Sequence, residues 1–166
     1  MQHSFYTIGY EGSQVEAFVA TLRRAGVQTL IDVRDLPLSR KPGFSKSALA
    51  ANLEASGIGY IHLKGLGDPK PGREAARAGE YAEFRRIFGR HMKTEFAQRD
   101  LAKAAELLHE QPCCLMCFEQ DHCNCHRSIV ADHLVRQTGL QLHHLSIDSS
   151  HRSYARRPHL PGFTFA

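Results

Sequence analysis

A chain of 166 residues with a formal charge of +4 and 42% hydrophobic content has the length of one domain and enough apolar material for one substantial core. No run approaches the roughly 20 apolar residues that span a bilayer, and the opening MQHSFYTIGYEG lacks the basic region and long apolar stretch of a secretory leader, so a cytoplasmic protein with no membrane partner is expected. Five cysteines, odd in number and confined to positions 113–125, argue against a disulfide framework and leave reduced thiols or metal ligands.

Tyr6 to Tyr10 reads as a first strand, followed by a helix whose apolar positions Val15, Phe18, Val19 and Leu22 share one face, with Gly26 ending it. VQTLIDV then predicts a buried strand that delivers Asp32 and Arg34 at its C-terminal end. DLPLSRKPGFSK predicts a rigid loop, after which Ser45 caps a helix through Leu49 and Leu53 that stops at Gly57. IGYIHL is the third strand, and GLGDPKPGREAARAG, rich in glycine and proline, is expected to be a long surface or active-site loop. Two helical patterns follow, one through Tyr81, Phe84, Ile87 and Phe88 and one through Phe96, Leu101, Ala105 and Leu108. CCLMCF is the fourth strand, a helix begins near His126 and ends before Gly139, and LQLHHL supplies the last strand.

This alternation predicts an α/β fold over residues 1–150: a single domain built on a mostly parallel sheet of about five strands, helices on both faces, in Rossmann-like layering. Residues 151–166 form a basic C-terminal tail, with three arginines, two histidines and no acid, packed on that domain or extending from it. In such sheets ligands bind beyond the carboxyl ends of the strands, which puts the segments after Gly9, Arg34, Lys64 and Glu119 on one rim.

The densest chemistry on that rim is CCLMCFEQDHCNCHRS. A helix start there offers free N–H groups to an anion, and Arg127 adds a guanidinium fork suited to phosphate or carboxylate. At Cys125 the helix start favours a lowered pKa and a thiolate, whereas burial opposes this. A tyrosine-phosphatase loop fails on spacing, because Ile129 stands where its arginine belongs. A structural zinc has weak candidate ligands in His122, Cys123 and Cys125 but is not favoured: Cys114 and Cys117 lie three apart on a strand, so alternation sends them to opposite faces, a geometry that also disfavours a CxxC redox pair. Cys113, Cys114 and Cys117 read as small apolar residues of a core strand. Asp32 and Arg34, two apart on a strand, share a face and either pair with each other or serve a ligand. The loop beyond offers Ser39, Arg40 and Lys41 to an anion and Phe44 to a ring, while Tyr10, Glu11, Arg73 and Glu74 complete the rim. His62 reads as a satisfied structural histidine.

The segments TIGYE at 7–11, LIDVR at 30–34, SRKPGFSK at 39–46, YIHLKGLG at 60–67, RE at 73–74, LMCFE at 115–119 and CHRS at 125–128 resemble the bacterial domain-of-unknown-function family 488. The resemblance implies an α/β fold and centres on Cys117, Glu119, Cys125, His126 and Arg127, without implying an activity.

Three readings of function follow. In the first, an enzyme acts on a phosphorylated ligand, a nucleotide or nucleic acid: Asp32, Glu119, Cys125 and His126 are the catalytic candidates, and Tyr10, Glu11, Arg34, Ser39, Arg40, Phe44, Arg73 and Arg127 bind the ligand. The others are a non-catalytic nucleic-acid or anion-binding module and a metal or thiol-redox protein using the cysteine cluster. No cofactor is specified by the sequence. Convergence of the side chains on one concave site would favour the enzyme, whereas a positive stripe would favour the binding module.

Overall fold

Five strands, all parallel, form one sheet in the order β3-β2-β4-β1-β5: β1 is Phe5–Gly9, β2 Thr29–Asp32, β3 Gly59–His62, β4 Cys113–Cys117 and β5 Leu142–His144. The computed structural model describes residues 3–147, so the expectation for the basic tail at 151–166 lies outside the described residues. Six α-helices are described: α1 Val15–Arg24, α2 Lys46–Glu54, α3 Lys70–Arg77, α4 Tyr81–Met92, α5 Glu95–Glu110 and α6 His126–Thr138. None is long and apolar enough to cross a membrane.

Alternation along β4 feeds two cores. Cys113, Leu115 and Cys117 point into the cluster that holds Phe88, Leu101, Leu108, Val130 and Leu134 from α4, α5 and α6. Cys114 and Met116 point the other way, toward Phe18, Leu22, Leu49 and Leu53 from α1 and α2. Helices therefore cover both faces. The strand reading of Cys113, Cys114 and Cys117 thus matches the fold: all three are buried free thiols, with Cys114 and Cys117 on opposite faces. Burial pushes the Cys113 thiol up to about 12.

The chain leaves β1 and β2 toward one face and leaves β4, which lies between them, toward the other. Chains diverging from neighbouring strand ends open a crevice at their carboxyl ends. Gly9 makes that divergence possible: a Cβ there would lie 1.8 Å from the Glu119 carbonyl oxygen and 2.7 Å from Arg127 Nη1, so no larger residue lets the loop after β4 cross the end of β1.

One predicted loop is wrong. GLGDPKPGREAARAG holds the end of a 3-10 turn at Lys64–Leu66 and the whole of the helix α3. Pro69 stands at the N-cap and Pro71 in the first turn, where a backbone N–H would have no helical partner, so prolines cost little there. A second detail also differs. Ser45 holds the N-cap position of α2, but its hydroxyl makes no cap bond; it donates to the Ser39 carbonyl at 3.0 Å and accepts from the Ser39 N–H at 3.0 Å, tying down the loop ahead of the helix.

Candidate functional site

Beyond the ends of β1, β2, β3 and β4 lies a cavity of about 740 Å³. Tyr10 follows β1, Arg34 to Arg40 follow β2, Asp68, Arg73, Arg77 and Tyr81 follow β3, and Cys117, Phe118, Glu119 and His126 come from the β4–α6 segment. The single rim expected from the sequence is therefore what the fold builds. Its residents are sorted differently.

Arg34 is 6% exposed and its donors are spent inside the protein. Nε and Nη2 grip both carboxylate oxygens of Asp32 at 2.9 and 2.8 Å, while Nη1 reaches the Phe44 carbonyl at 2.7 Å and the Tyr10 hydroxyl at 3.3 Å. Asp32 is fully buried, also accepts from the Tyr60 hydroxyl at 2.5 Å, and does not line the cavity. Burial, reinforced by the bond to Asp32, pushes the Tyr60 hydroxyl well above its ordinary range. Phe44 is buried against Tyr10, ring centroids 4.4 Å apart, so its ring belongs to the core and only its carbonyl serves the site. Glu11 lies outside the cavity, in a shallow cleft with Gln120 and Leu145. Ser39 and Arg40 line the cavity; Glu74 is exposed on α3 and pairs with Lys70 at 3.9 Å. His62 Nε2 donates to the Arg34 carbonyl, 2.7 Å away, in a structural role.

Arg127 is 1% exposed and does not line the cavity. Nη1 donates to the Glu119 carbonyl at 2.6 Å and to Cys117 Sγ at 3.1 Å, and Nη2 reaches the Gln120 carbonyl at 3.5 Å. It clamps the loop after β4 onto the start of α6.

Cys125 is the N-cap of α6, its sulfur accepting from the Arg127 N–H at 3.4 Å. Of the two opposed effects expected on its pKa, burial wins. Burial pushes the thiol well above its ordinary value, and Cys117 and Glu119 beside it push the same way; the helix-start effect is too weak to compete. The Cys125 sulfur lies 2.6 Å from Cys117 Sγ, 3.3 Å from Glu119 Oε2 and 3.7 Å from His126 Nδ1. His126 Nε2 lies 2.7 Å from the Val33 carbonyl, which can only accept, so the proton sits on Nε2 and Nδ1 keeps its lone pair. Burial lowers the His126 pKa, which keeps the ring neutral. The weak metal candidates His122 and Cys123 stand apart: Cys123 is exposed, and His122 stacks on His144. The donor cluster draws instead on Cys117, with Glu119 and Cys125, all ligand atoms within 4.8 Å of one another.

Sequence reasoning missed Asp68. Its carboxyl is 5% exposed, its Oδ1 has no hydrogen-bond partner, and burial raises its pKa to about 7 against the pull of Arg73. Arg73 itself bridges Asp35 Oδ2 at 2.6 Å and the Asp68 carbonyl at 2.7 Å. Arg77 was missed too, because it sits in the segment read as a loop; helical spacing places it one turn beyond Arg73. Arg40 and Arg77 make no hydrogen bond or ion pair among the described residues. Leu36, Leu38, Tyr81 and Phe118 are exposed and all four line the cavity, which gives its mouth an apolar rim.

A family model described as a domain of unknown function, DUF488, matches residues 14–134. Neither the curated proteins nor the solved structures gave a match.

Proposed function

The chain belongs to the DUF488 family, and from that premise we propose that it is an enzyme acting on a phosphorylated small molecule held in the cavity at the strand ends. One observation carries the reading: two exposed guanidinium groups with no partner among the described residues, Arg40 and Arg77, line the same hollow as a buried carboxyl, Asp68, whose Oδ1 has no hydrogen-bond partner among them either. A charged side chain that folding leaves unsatisfied is available to a ligand. In this reading Arg40 and Arg77 take the phosphate, the roles that the sequence suggested for Arg34 and Arg127, which are buried and engaged with Asp32, Cys117 and main-chain carbonyls.

Asp68 is the proton-transfer group. Its pKa of about 7 lets it hold a proton and give it up near neutral pH, where general acid–base catalysis is most effective. Glu119 and His126 line the cavity and remain within the catalytic set, whereas Asp32 and Cys125 act from behind the wall. The exposed Leu36, Leu38, Tyr81 and Phe118 suit a ring attached to the phosphate, and a concave site of about 740 Å³ matches the size of a small molecule.

The test is calorimetric titration of inorganic phosphate and a panel of nucleoside monophosphates into wild type and the Arg40→Ala/Arg77→Ala double variant. Losing charge-assisted contacts worth about 1.5 to 3 kcal/mol each should weaken binding at least roughly tenfold with no change in melting temperature. Equal binding by both proteins would remove the phosphate from this cavity.

A further inference from the structure

We propose that Cys117, Glu119 and Cys125 form a binding site for a divalent cation of the zinc class, opening onto the cavity. Their ligand atoms lie within 4.8 Å of one another, and Cys117 and Glu119 both line the cavity while Cys125 closes the site from behind. The inference does not rest on the phosphorylated-ligand reading: it shares Glu119 with that reading, but it concerns neither Arg40, Arg77 nor Asp68 and is measured with metal alone.

The argument begins with lone pairs. Three acceptors crowd one spot, two sulfurs and the Glu119 carboxylate, and the Nδ1 of His126 stands beside them, 3.7 Å from Cys125 Sγ. Between the three the only hydrogens are those of the two thiols. A cation in their place would satisfy all three at once, as it does wherever thiolate and carboxylate converge.

The surroundings fit that exchange. Arg127 aims Nη1 at Cys117 Sγ from 3.1 Å and its backbone N–H at Cys125 Sγ from 3.4 Å, so both sulfurs receive N–H donors of the kind that steady metal-bound thiolates. The Val33 carbonyl fixes the His126 tautomer, as second partners of metal-site histidines do. Charge balances as well. Binding M²⁺ with release of two thiol protons leaves two thiolates and one carboxylate around a dication, net −1, and the Arg127 guanidinium offsets it. Three protein ligands with the cavity on the fourth side is the pattern of a site with an exchangeable position.

The sulfurs, at 2.6 Å, must part by roughly 1 Å to admit an ion with metal–sulfur bonds of about 2.3 Å. Closing instead to a disulfide would need less movement. It would, however, use only the sulfurs, leaving Glu119 and the donors of Arg127 facing an uncharged bond, so the full set of neighbours favours the cation.

Reduced protein without an affinity tag, stripped by chelator, is titrated with cobalt(II) and then displaced with zinc. The expected result is one equivalent of cobalt with a thiolate charge-transfer band, unchanged in Cys123→Ser. Cys117→Ser and Cys125→Ser should each weaken cobalt binding by at least about 100-fold and diminish the band, and Glu119→Gln should weaken it about tenfold with the band retained. Should either serine variant fail to fold, Glu119→Gln against Cys123→Ser decides the matter, because neither alters a buried sulfur. Absence of stoichiometric uptake overturns the proposal, as does uptake that survives in Glu119→Gln at full affinity. Failure to take up cobalt together with ready formation of an intramolecular Cys117–Cys125 disulfide would make the pair a redox couple instead.

Discussion

Gly72 lies so close to Asp68 that a Cβ on it would stand 2.0 Å from the Asp68 Oδ1 oxygen. The first turn of α3 thus packs directly on the carboxyl that the cavity uses, and no side chain larger than hydrogen fits between them. Gly72→Ala should therefore displace the Asp68 carboxyl even though alanine favours a helix by about 1 kcal/mol. Overpacking costs about 1 to 3 kcal/mol, so the net expectation is a modest loss of stability with a large change in the Asp68 titration. Urea denaturation and carboxyl titration by NMR read the two effects. An unperturbed Asp68 in this variant would contradict the contact.

Asp68 should also mark the pH dependence of folding in metal-free protein. Its folded pKa of about 7 is raised above the ordinary 3.8, so between those values the folded state holds a proton that the unfolded chain has lost. Asp68 then contributes stability at low pH that is lost as pH rises from about 4 to 7. Asp68→Asn removes this loss. The stability difference between variant and wild type should grow in the variant's favour across that window and level off above it. Parallel curves would show that the carboxyl titrates normally.

Arg127→Ala should cost the fold about 3 kcal/mol or more, because it strips donors from the Glu119 and Gln120 carbonyls and leaves a hole at a fully buried position. Thermal melting provides the check. A variant that melts like wild type while losing phosphate binding would restore Arg127 to the ligand.

Thiol reactivity should follow burial. Cys123 is the one exposed cysteine, and Cys113, Cys114, Cys117 and Cys125 are buried. A brief treatment of native reduced protein with a small alkylating reagent should modify one thiol, and Cys123→Ser should abolish the fast phase. Fast modification of Cys125 would mean that the start of α6 opens readily.

Breaking the Asp32–Arg34 pair should be strongly destabilising, because both side chains are buried. Asp32→Ala would leave a guanidinium buried without its carboxylate and cost about 3 to 5 kcal/mol, visible in the denaturation midpoint. An unchanged midpoint would mean that the Phe44 carbonyl and the Tyr10 hydroxyl suffice for Arg34.

Periodicity was enough to recover all five strands, five of the six helices and their layering, because burial on a sheet face or helix stripe writes itself into every second or every third and fourth residue. CCLMC shows this plainly: five consecutive apolar residues predict a strand buried on both faces, and alternation alone separates Cys114 from Cys117. The rim followed from the strand-helix alternation. The helix α3 stayed hidden because Pro69, Pro71 and Gly72 are poor helix residues by propensity, and only their positions at the N-cap and in the first turn, with Gly72 against Asp68, make them tolerable.

The sequence by itself determined which segments meet at the strand ends and which residue types they bring there. Tertiary structure alone decided which of those residues face the cavity and which are consumed in holding it. Arg34, Arg40, Arg77 and Arg127 are alike as letters, yet two are held by carbonyls, Asp32 and Cys117 and two have no partner among the described residues, because the availability of a guanidinium depends on atoms supplied by distant parts of the chain. The same holds for Asp68 and Cys125. Their proton affinities are set by removal from water and by neighbouring charge, quantities that exist only once Glu119, Arg73 and the walls around them have been brought together by folding.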